Sequence, residues 1–256
     1  MNTLVMMFHY GRCGSTVLSD MLSQQDRILC LGEIYNFNLD YSDVDLLEPI
    51  AQMVSSNRFD HAAISLNDAI TFLESVITAS KIGAEKDIVV FEVKQYDFDR
   101  RVFDFSLSEF LSGLEERFNL EVILLERINL FDRYLSERLS QKTGIYHLKP
   151  DQSCVAHQRL TVDTVDLSMY IFKEAADYLR NRMFLVDFNP CCITYEHDIS
   201  KNPYIAFYKI CTLLGVDATH PQINFGLTTP KEKENIINNF NDVLDVLKKN
   251  GFAWMI

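Results

Sequence analysis

A short segment near the amino terminus combines two glycines, one cation and two neighbouring hydroxyl residues. It runs Phe8-His-Tyr-Gly-Arg-Cys-Gly-Ser-Thr, between an apolar run and a stretch with helical spacing of apolar residues. Glycines let the backbone approach a ligand, the first helical turn presents unpaired N–H groups, and an arginine adds charge-assisted hydrogen bonds. The segment predicts an anion-binding loop formed by Arg12, Cys13, Gly14, Ser15 and Thr16.

A nucleoside-triphosphate P-loop has a different pattern, G-x-x-x-x-G-K-[ST]. In this chain two residues separate Gly11 from Gly14, and no lysine follows Gly14. Mg²⁺-dependent phosphoryl transfer also needs a strand-end aspartate, whereas the strongest later strand candidate, 120–125, is followed by Glu126 and Arg127. A P-loop-type phosphotransferase is therefore the weaker interpretation. A nucleotide-binding module without catalysis is the other alternative.

A second group of polar residues follows the strand candidate at 120–125. Arg127 comes directly after Glu126, and Ser136 lies on the helix predicted next. A planar guanidinium binds a phosphate through two hydrogen bonds, and a hydroxyl from the helix supplies a third donor. Arg133 and Ser140 lie on the same helical face as Ser136, so either residue could take its place.

Three segments together resemble the sulfotransferases, and the bacterial and carbohydrate branches in particular. The first is similar to their 5′-phosphosulfate loop, commonly R-[ST]-G-[ST]-[ST], with Cys13 where Ser or Thr is usual. Arg127 and Ser136 match the pair that holds the 3′-phosphate. Tyr195-Glu-His-Asp-Ile resembles the family's Y-E-D-L segment, which implies a contact between Tyr195 and adenine. The three segments occur in the family's order.

This resemblance implies a reaction and its participants. The co-substrate would be 3′-phosphoadenosine 5′-phosphosulfate (PAPS), the acceptor a hydroxyl of a small molecule, carbohydrate or lipid, and no metal would be needed. Glu33 resembles the family's general base, with His147 as the alternative base, and Arg12 would stabilise the bridging oxygen. Lys94 matches a family lysine but could equally be a solvated strand-end residue, and the roles of Lys231 and Lys233 stay open.

Composition limits the remaining possibilities. A net charge of −12 opposes binding to nucleic acid, which depends on clustered Lys and Arg. The amino terminus has no basic region and its apolar run is short, which predicts a cytoplasmic protein without a transmembrane segment. The 6 cysteines lack metal-site spacing, so we expect reduced thiols. Oligomeric state is not indicated.

Apolar patterning predicts an α/β fold. Strand candidates are 4–8, 28–31, 88–93, 120–125, 183–186 and 192–195, and helix candidates are 15–22, 66–82, 107–118, 130–142, 165–181, 203–214 and 236–249. Strands alternating with helices indicate a central, mostly parallel sheet flanked by helices, with a P-loop-like strand–loop–helix at the start. The stretch 144–161 predicts a loop or lid. We expect a single domain over 1–256.

Overall fold

A computed structural model of the chain describes residues 3–35, 64–80, 86–99, 103–148, 159–226 and 232–256. Its strands are β1 (Thr3–His9), β2 (Ile28–Cys30), β3 (Ile88–Lys94), β4 (Asn119–Glu126) and β5 (Cys191–Thr194). Its α-helices are α1 (Ser15–Ser23), α2 (Leu66–Ser80), α3 (Gln95–Asp99), α4 (Leu107–Glu115), α5 (Leu130–Thr143), α6 (Thr164–Leu185), α7 (Tyr204–Leu213) and α8 (Phe240–Lys249).

The five strands form one parallel sheet in the order β2-β3-β1-β4-β5. β1 lies at the centre and is buried from Leu4 to His9. Helices cover both faces of a parallel sheet, so its strands are nearly continuous apolar runs rather than alternating ones. The prediction of an α/β fold with a mostly parallel sheet and an initial strand–loop–helix is confirmed.

The sheet register brings the polar segments of the sequence to one edge. His9, the last residue of β1, pairs with Lys94 on β3 and with Leu125 on β4. The glycine-containing loop follows His9, and Arg127 follows β4 by one residue. Ligands of open parallel sheets bind at the carboxyl ends of the strands, so this edge is where a site is expected.

Several predicted elements differ from the structure, among them the helix predicted at 107–118, which ends at Glu115. The strand at 183–186 is wrong: this run belongs to the end of α6 and to the 3₁₀ turn Val186–Phe188. A short apolar run has no period that separates a strand from a helix, and α6 continues through it. The last helix begins at Phe240, not 236, and Tyr195 begins a π-helical turn, Tyr195–Ile199, instead of ending β5.

Some expectations reach beyond the described residues. Of the loop predicted at 144–161, residues 149–158 lie outside them, as does Lys231. A single domain over 1–256 stays a prediction. Within the described ranges, no helix combines the length and the apolar character needed to cross a bilayer.

Candidate functional site

The loop between β1 and α1 is held in a strained backbone conformation. Gly11, Arg12 and Gly14 have φ values of 76°, 55° and 89°. Such angles suit glycine, whereas at Arg12 they cost roughly 1 kcal/mol or more. Gly14 precedes α1 without a side-chain cap among the described residues, so the first-turn N–H groups of α1 can serve an anion. The predicted anion-binding loop therefore has a suitable backbone.

Two loop residues have little room to vary. A Cβ on Gly14 would lie 3.1 Å from side-chain carbons of both Tyr195 and Ile199. Cys13 is buried, and its Sγ donates to the Gly11 carbonyl at 3.0 Å. Burial raises the pKa of this thiol, so it stays protonated. Cys13 thus links two residues of the loop through its side chain, and only its backbone is available to a ligand.

Arg133 supports the loop from below. It is buried, and its guanidinium donates to the carbonyls of Gly11 and Tyr10 at 3.2 and 2.5 Å and pairs with Glu174 at 2.5 Å. Ser140 donates to the Ser136 carbonyl within its own helix. Arg133 and Ser140, the two alternatives to Ser136, therefore have other hydrogen-bond partners. No pattern in the sequence indicates the supporting role of Arg133.

A buried His–Glu pair lies beneath the same loop. The Gly11 N–H donates to His9 Nδ1 at 3.1 Å, which places the proton of the neutral ring on Nε2. This Nε2 lies 3.1 Å from a Glu92 oxygen, where it favours the ionised carboxylate and lowers the Glu92 pKa. Ser19 donates to the other Glu92 oxygen at 2.5 Å, and the nearby Ser15 hydroxyl helps to lower the Glu92 pKa. Ser15 is buried, so it offers a ligand its N–H.

His9, Glu33 and Glu92 also have ligand atoms within 4.8 Å of one another, a spacing that could suit a cation. The hydrogen bond from Gly11 leaves the neutral His9 ring with its proton, not a lone pair, at Nε2. Glu33 forms an ion pair with Lys94. Two of the three candidate ligands are therefore committed to protein partners, and we assign no metal to this cluster.

We expect Glu92→Gln to destabilise the fold by about 3 kcal/mol at pH 7. Burial raises the Glu92 pKa, but His9, Ser19 and Ser15 outweigh it and lower the pKa from 4.5 to about 2. This contribution is complete above pH 4.5 and is lost as the pH falls towards 2. Denaturant unfolding at several pH values measures it. Glu121→Gln, on β4, is the control, and a constant difference from pH 7 to pH 3 would contradict this assignment.

Two arginines meet above the loop. Arg12 Nε donates to Ser136 Oγ at 3.0 Å and its Nη1 to the Tyr146 carbonyl at 2.8 Å. Arg127 Nη1 donates to the Arg12 carbonyl at 3.3 Å, and its guanidinium lies 4.4 Å from the centre of the Tyr195 ring. The structure thus brings together Arg12, the Arg127–Ser136 segment and Tyr195, which are far apart in the sequence.

One of these two arginines, Arg127, has a buried N–H group without a partner among the described residues. Burial, followed by the nearby Arg127 cation, lowers the pKa of Arg12. Arg127 is 6% exposed, and its Nε has no hydrogen-bond partner. The carboxylate of Asp132 stands 3.6 Å from Arg127 Nη2 and 2.8 Å from Lys233 Nζ. A buried N–H without a partner beside a second guanidinium is the environment that an anionic ligand would stabilise.

The π-helical turn after β5 positions Arg127. Glu196 accepts the backbone N–H groups of Ile128 and Asn129 at 3.0 and 2.9 Å, directly after Arg127. Tyr195, one residue earlier, covers Arg127 with its ring. The Tyr-Glu pair of this segment therefore fixes the arginine from two sides. The sequence indicated Tyr195 as an adenine contact and missed the capping role of Glu196.

Glu33 and Lys94 form a second polar pair at the same edge of the sheet. Gly32, at a φ of 64°, accepts the Glu92 N–H at 2.8 Å, which places Glu33 beside the end of β3. There it pairs with Lys94, whose side chain is 12% exposed. Burial lowers the Lys94 pKa, but Glu33 and Tyr96 together outweigh it and raise the pKa. Lys94 is therefore a partner of Glu33, not a solvated strand end.

His147 lies near the same opening, after α5. Its ring contacts Phe225 edge-on, with 6.0 Å between ring centres. Partial removal from water and then the Arg12 cation lower its pKa below 6.5, so the imidazole is mostly neutral at pH 7 and able to accept a proton. The structure therefore leaves His147 as a second candidate base. Thr16 follows Ser15 in the first turn of α1, half-buried.

Comparisons with known proteins find similar solved structures but no related sequence. No protein-family model matches the sequence, and no curated protein matches it. A solved structure, the sulfotransferase from Alicyclobacillus acidocaldarius, is similar with a TM-score of 0.49 and 13% identity, covering 98% of this chain and 92% of that one. A likeness this distant carries no conclusion about chemistry, which has to come from the residues themselves.

Proposed function

We propose that this chain is a sulfotransferase that moves a sulfuryl group from PAPS to an acceptor hydroxyl. The observation that carries the proposal is the meeting of Arg12 and Arg127, with Ser136, at the start of α1. PAPS carries two anionic groups, the 5′-phosphosulfate and the 3′-phosphate. Two adjoining guanidiniums, one on the loop and bonded to the helix hydroxyl and the other directly after β4, fit such a doubly anionic nucleotide.

Each anionic group has its own set of proposed contacts. The backbone N–H groups of Cys13, Gly14, Ser15 and Thr16, with the Arg12 side chain, would hold the phosphosulfate at the positive end of α1. Arg127 and Ser136 would hold the 3′-phosphate, with Arg127 Nε as the donor that lacks a protein partner. The Tyr195 ring, already stacked on Arg127, would border the adenine.

Groups at this edge of the sheet can accept both the electron pair and the proton that the transfer releases. The acceptor oxygen forms a bond to sulfur while the bond between sulfur and the bridging phosphate oxygen breaks. The electron pair of that bond goes to the departing 3′-phosphoadenosine 5′-phosphate (PAP), where Arg12 stabilises the developing charge. The acceptor's proton passes to the Glu33 carboxylate, which Lys94 holds in place. His147 is the alternative proton acceptor.

The acceptor belongs to a broad class. The proposed reaction needs a hydroxyl within reach of Glu33, on a small molecule, a carbohydrate or a lipid, and uses no metal step. A net charge of −12 disfavours nucleic acid as the acceptor because its phosphates would be repelled. The fold itself does not select among alcohols, since related folds accept different substrates through different loops.

Calorimetry with two nucleotides tests the proposed function. We expect PAP to bind in the micromolar range and ATP with Mg²⁺ much more weakly, because the second guanidinium is placed for a 3′-phosphate that ATP lacks. Removing Mg²⁺ with a chelator should leave PAP binding unchanged. Equal affinity for both nucleotides would contradict the proposal and favour a phosphotransferase.

A further inference from the structure

The solvent face of the longest helix is apolar along its whole length. Seven residues of α6 and its C-cap follow one another at alternating steps of four and three, and the six large ones are 54–74% exposed. We call them the outer stripe: Val165, Met169, Phe172, Ala176, Leu179, Met183 and Val186. Met183 and Val186, at its end, explain why 183–186 resembled a strand in the sequence.

This stripe is not the face that α6 packs into the protein. The buried positions, which include Leu167, Ile171, Tyr178 and Leu185, lie on the opposite side of the helix. A surface helix normally carries polar residues on its outer side. A continuous exposed apolar patch of this size marks a surface that meets a partner.

The spacing indicates what kind of element covers the stripe. Apolar residues that repeat every 3.5 positions form a straight seam only when two helices wind around each other. Beside the seam, a groove of about 540 Å³ runs between α6 and α8. It is lined by Val165, Met169 and Phe172 on one side and by Val246 and Lys249 on the other. The seam and the groove together fit a second helix.

One pair of charges along the seam suits a second copy turned end for end. Asp166 flanks the amino-terminal part of the stripe and Arg180 its carboxyl-terminal part, while Lys173, near the middle, would lie beside its own copy. In an antiparallel pair, Met169 of one helix packs against Leu179 of the other, and Asp166 then lies beside Arg180. Asp166 and Arg180 pair with Arg138 and Asp177 within the chain, at 2.7 and 2.8 Å, and with side chains 47% and 49% exposed they can add a contact across the seam. A twofold axis makes each such contact twice.

The available area is sufficient for a dimer. With roughly 100 Å² removed from water for each large side chain, the six cover about 600 Å² per copy, or about 1,200 Å² in total. That is the lower end of the range for specific interfaces. Ala176, near the middle of the stripe, lets the two backbones approach closely. We propose that two copies of this chain associate through antiparallel α6 helices.

Sedimentation equilibrium of the full chain tests this proposal. We expect a dimer in the micromolar range and at least about a 100-fold weaker association for Leu179→Glu, because a carboxylate would be buried in the seam. Ile205→Glu, which changes an apolar residue on α7 that is 47% exposed, is the control and should stay dimeric. If Leu179→Glu fails to fold, Met169→Gln with Leu179→Gln is the milder replacement.

Disulfide formation between two copies tests whether the two α6 helices are antiparallel. With Cys192 changed to Ser, chains carrying Met169→Cys should form disulfides with chains carrying Leu179→Cys, and neither chain should do so with itself. Disulfides only between identical chains would overturn the antiparallel arrangement. A monomeric wild-type chain, or a Leu179→Glu variant that remains fully dimeric, would overturn the proposal and leave a different protein as the occupant of the stripe.

Discussion

Glu33→Gln should lower the rate of sulfuryl transfer by about 10²-fold or more while leaving the affinity for PAP nearly unchanged. Glutamine keeps the shape of the side chain and can still contact Lys94, but it cannot accept the acceptor's proton. The loss should therefore fall on kcat and not on nucleotide binding. Steady-state kinetics, together with calorimetry on the same variant, separates the two.

The control for this change is Glu115→Gln, an exposed glutamate at the end of α4, which should retain wild-type turnover. The companion variant is His147→Ala. Near-normal turnover in Glu33→Gln combined with complete loss in His147→Ala would assign the base to His147. Glu33 would then be a residue that positions Lys94 or the substrate.

Arg127→Ala should weaken PAP binding by about 2–5 kcal/mol, which is roughly 30-fold to several thousand-fold. Arg127 is almost fully buried, so its charge acts on a phosphate with little screening by water. The affinity for adenosine 5′-phosphosulfate, which has no 3′-phosphate, should change little. Calorimetry with the two ligands measures this difference directly.

The control for Arg127→Ala is Arg117→Ala, which removes an exposed ion pair with Glu74 and should leave both affinities unchanged. Thermal unfolding of Arg127→Ala checks that the fold survives the loss of its contacts with Tyr195 and the loop. An equal loss of affinity for both ligands would show that Arg127 does not act on the 3′-phosphate.

The fold was largely predictable because buried parallel strands leave long apolar runs between glycines and polar helix starts. β1, β3 and β4 are such runs, and each was predicted to within a residue or two. The failure at 183–186 has a physical cause, since a helix whose outer face is also apolar produces the same short run as a strand. The pattern of apolar residues in a sequence cannot show which side of such a helix faces water.

The candidate site was predictable only where one local segment carries the chemistry. The loop around Arg12 has recognisable spacing, and so do Arg127 and Ser136, although Ser136 accepts its hydrogen bond from Arg12. Arg133 and Glu196 do not, because they act on backbone carbonyls and N–H groups of segments distant in sequence. The pairing of Glu33 with Lys94 arises from the order of strands in the sheet, which a single sequence does not specify.

The most direct measurement of the central claim follows the sulfuryl group itself. The full chain is incubated with PAPS labelled in the sulfuryl group, with and without sugar, glycolipid and steroid-like alcohols. With the wild-type chain we expect the label to leave the nucleotide faster than in buffer and to appear on at least one alcohol or as slowly released sulfate. With the Arg12→Ala variant we expect the label to remain on the nucleotide. Label that stays on the nucleotide with every acceptor, despite tight binding of PAP, would contradict sulfuryl transfer and indicate a nucleotide-binding protein without this activity.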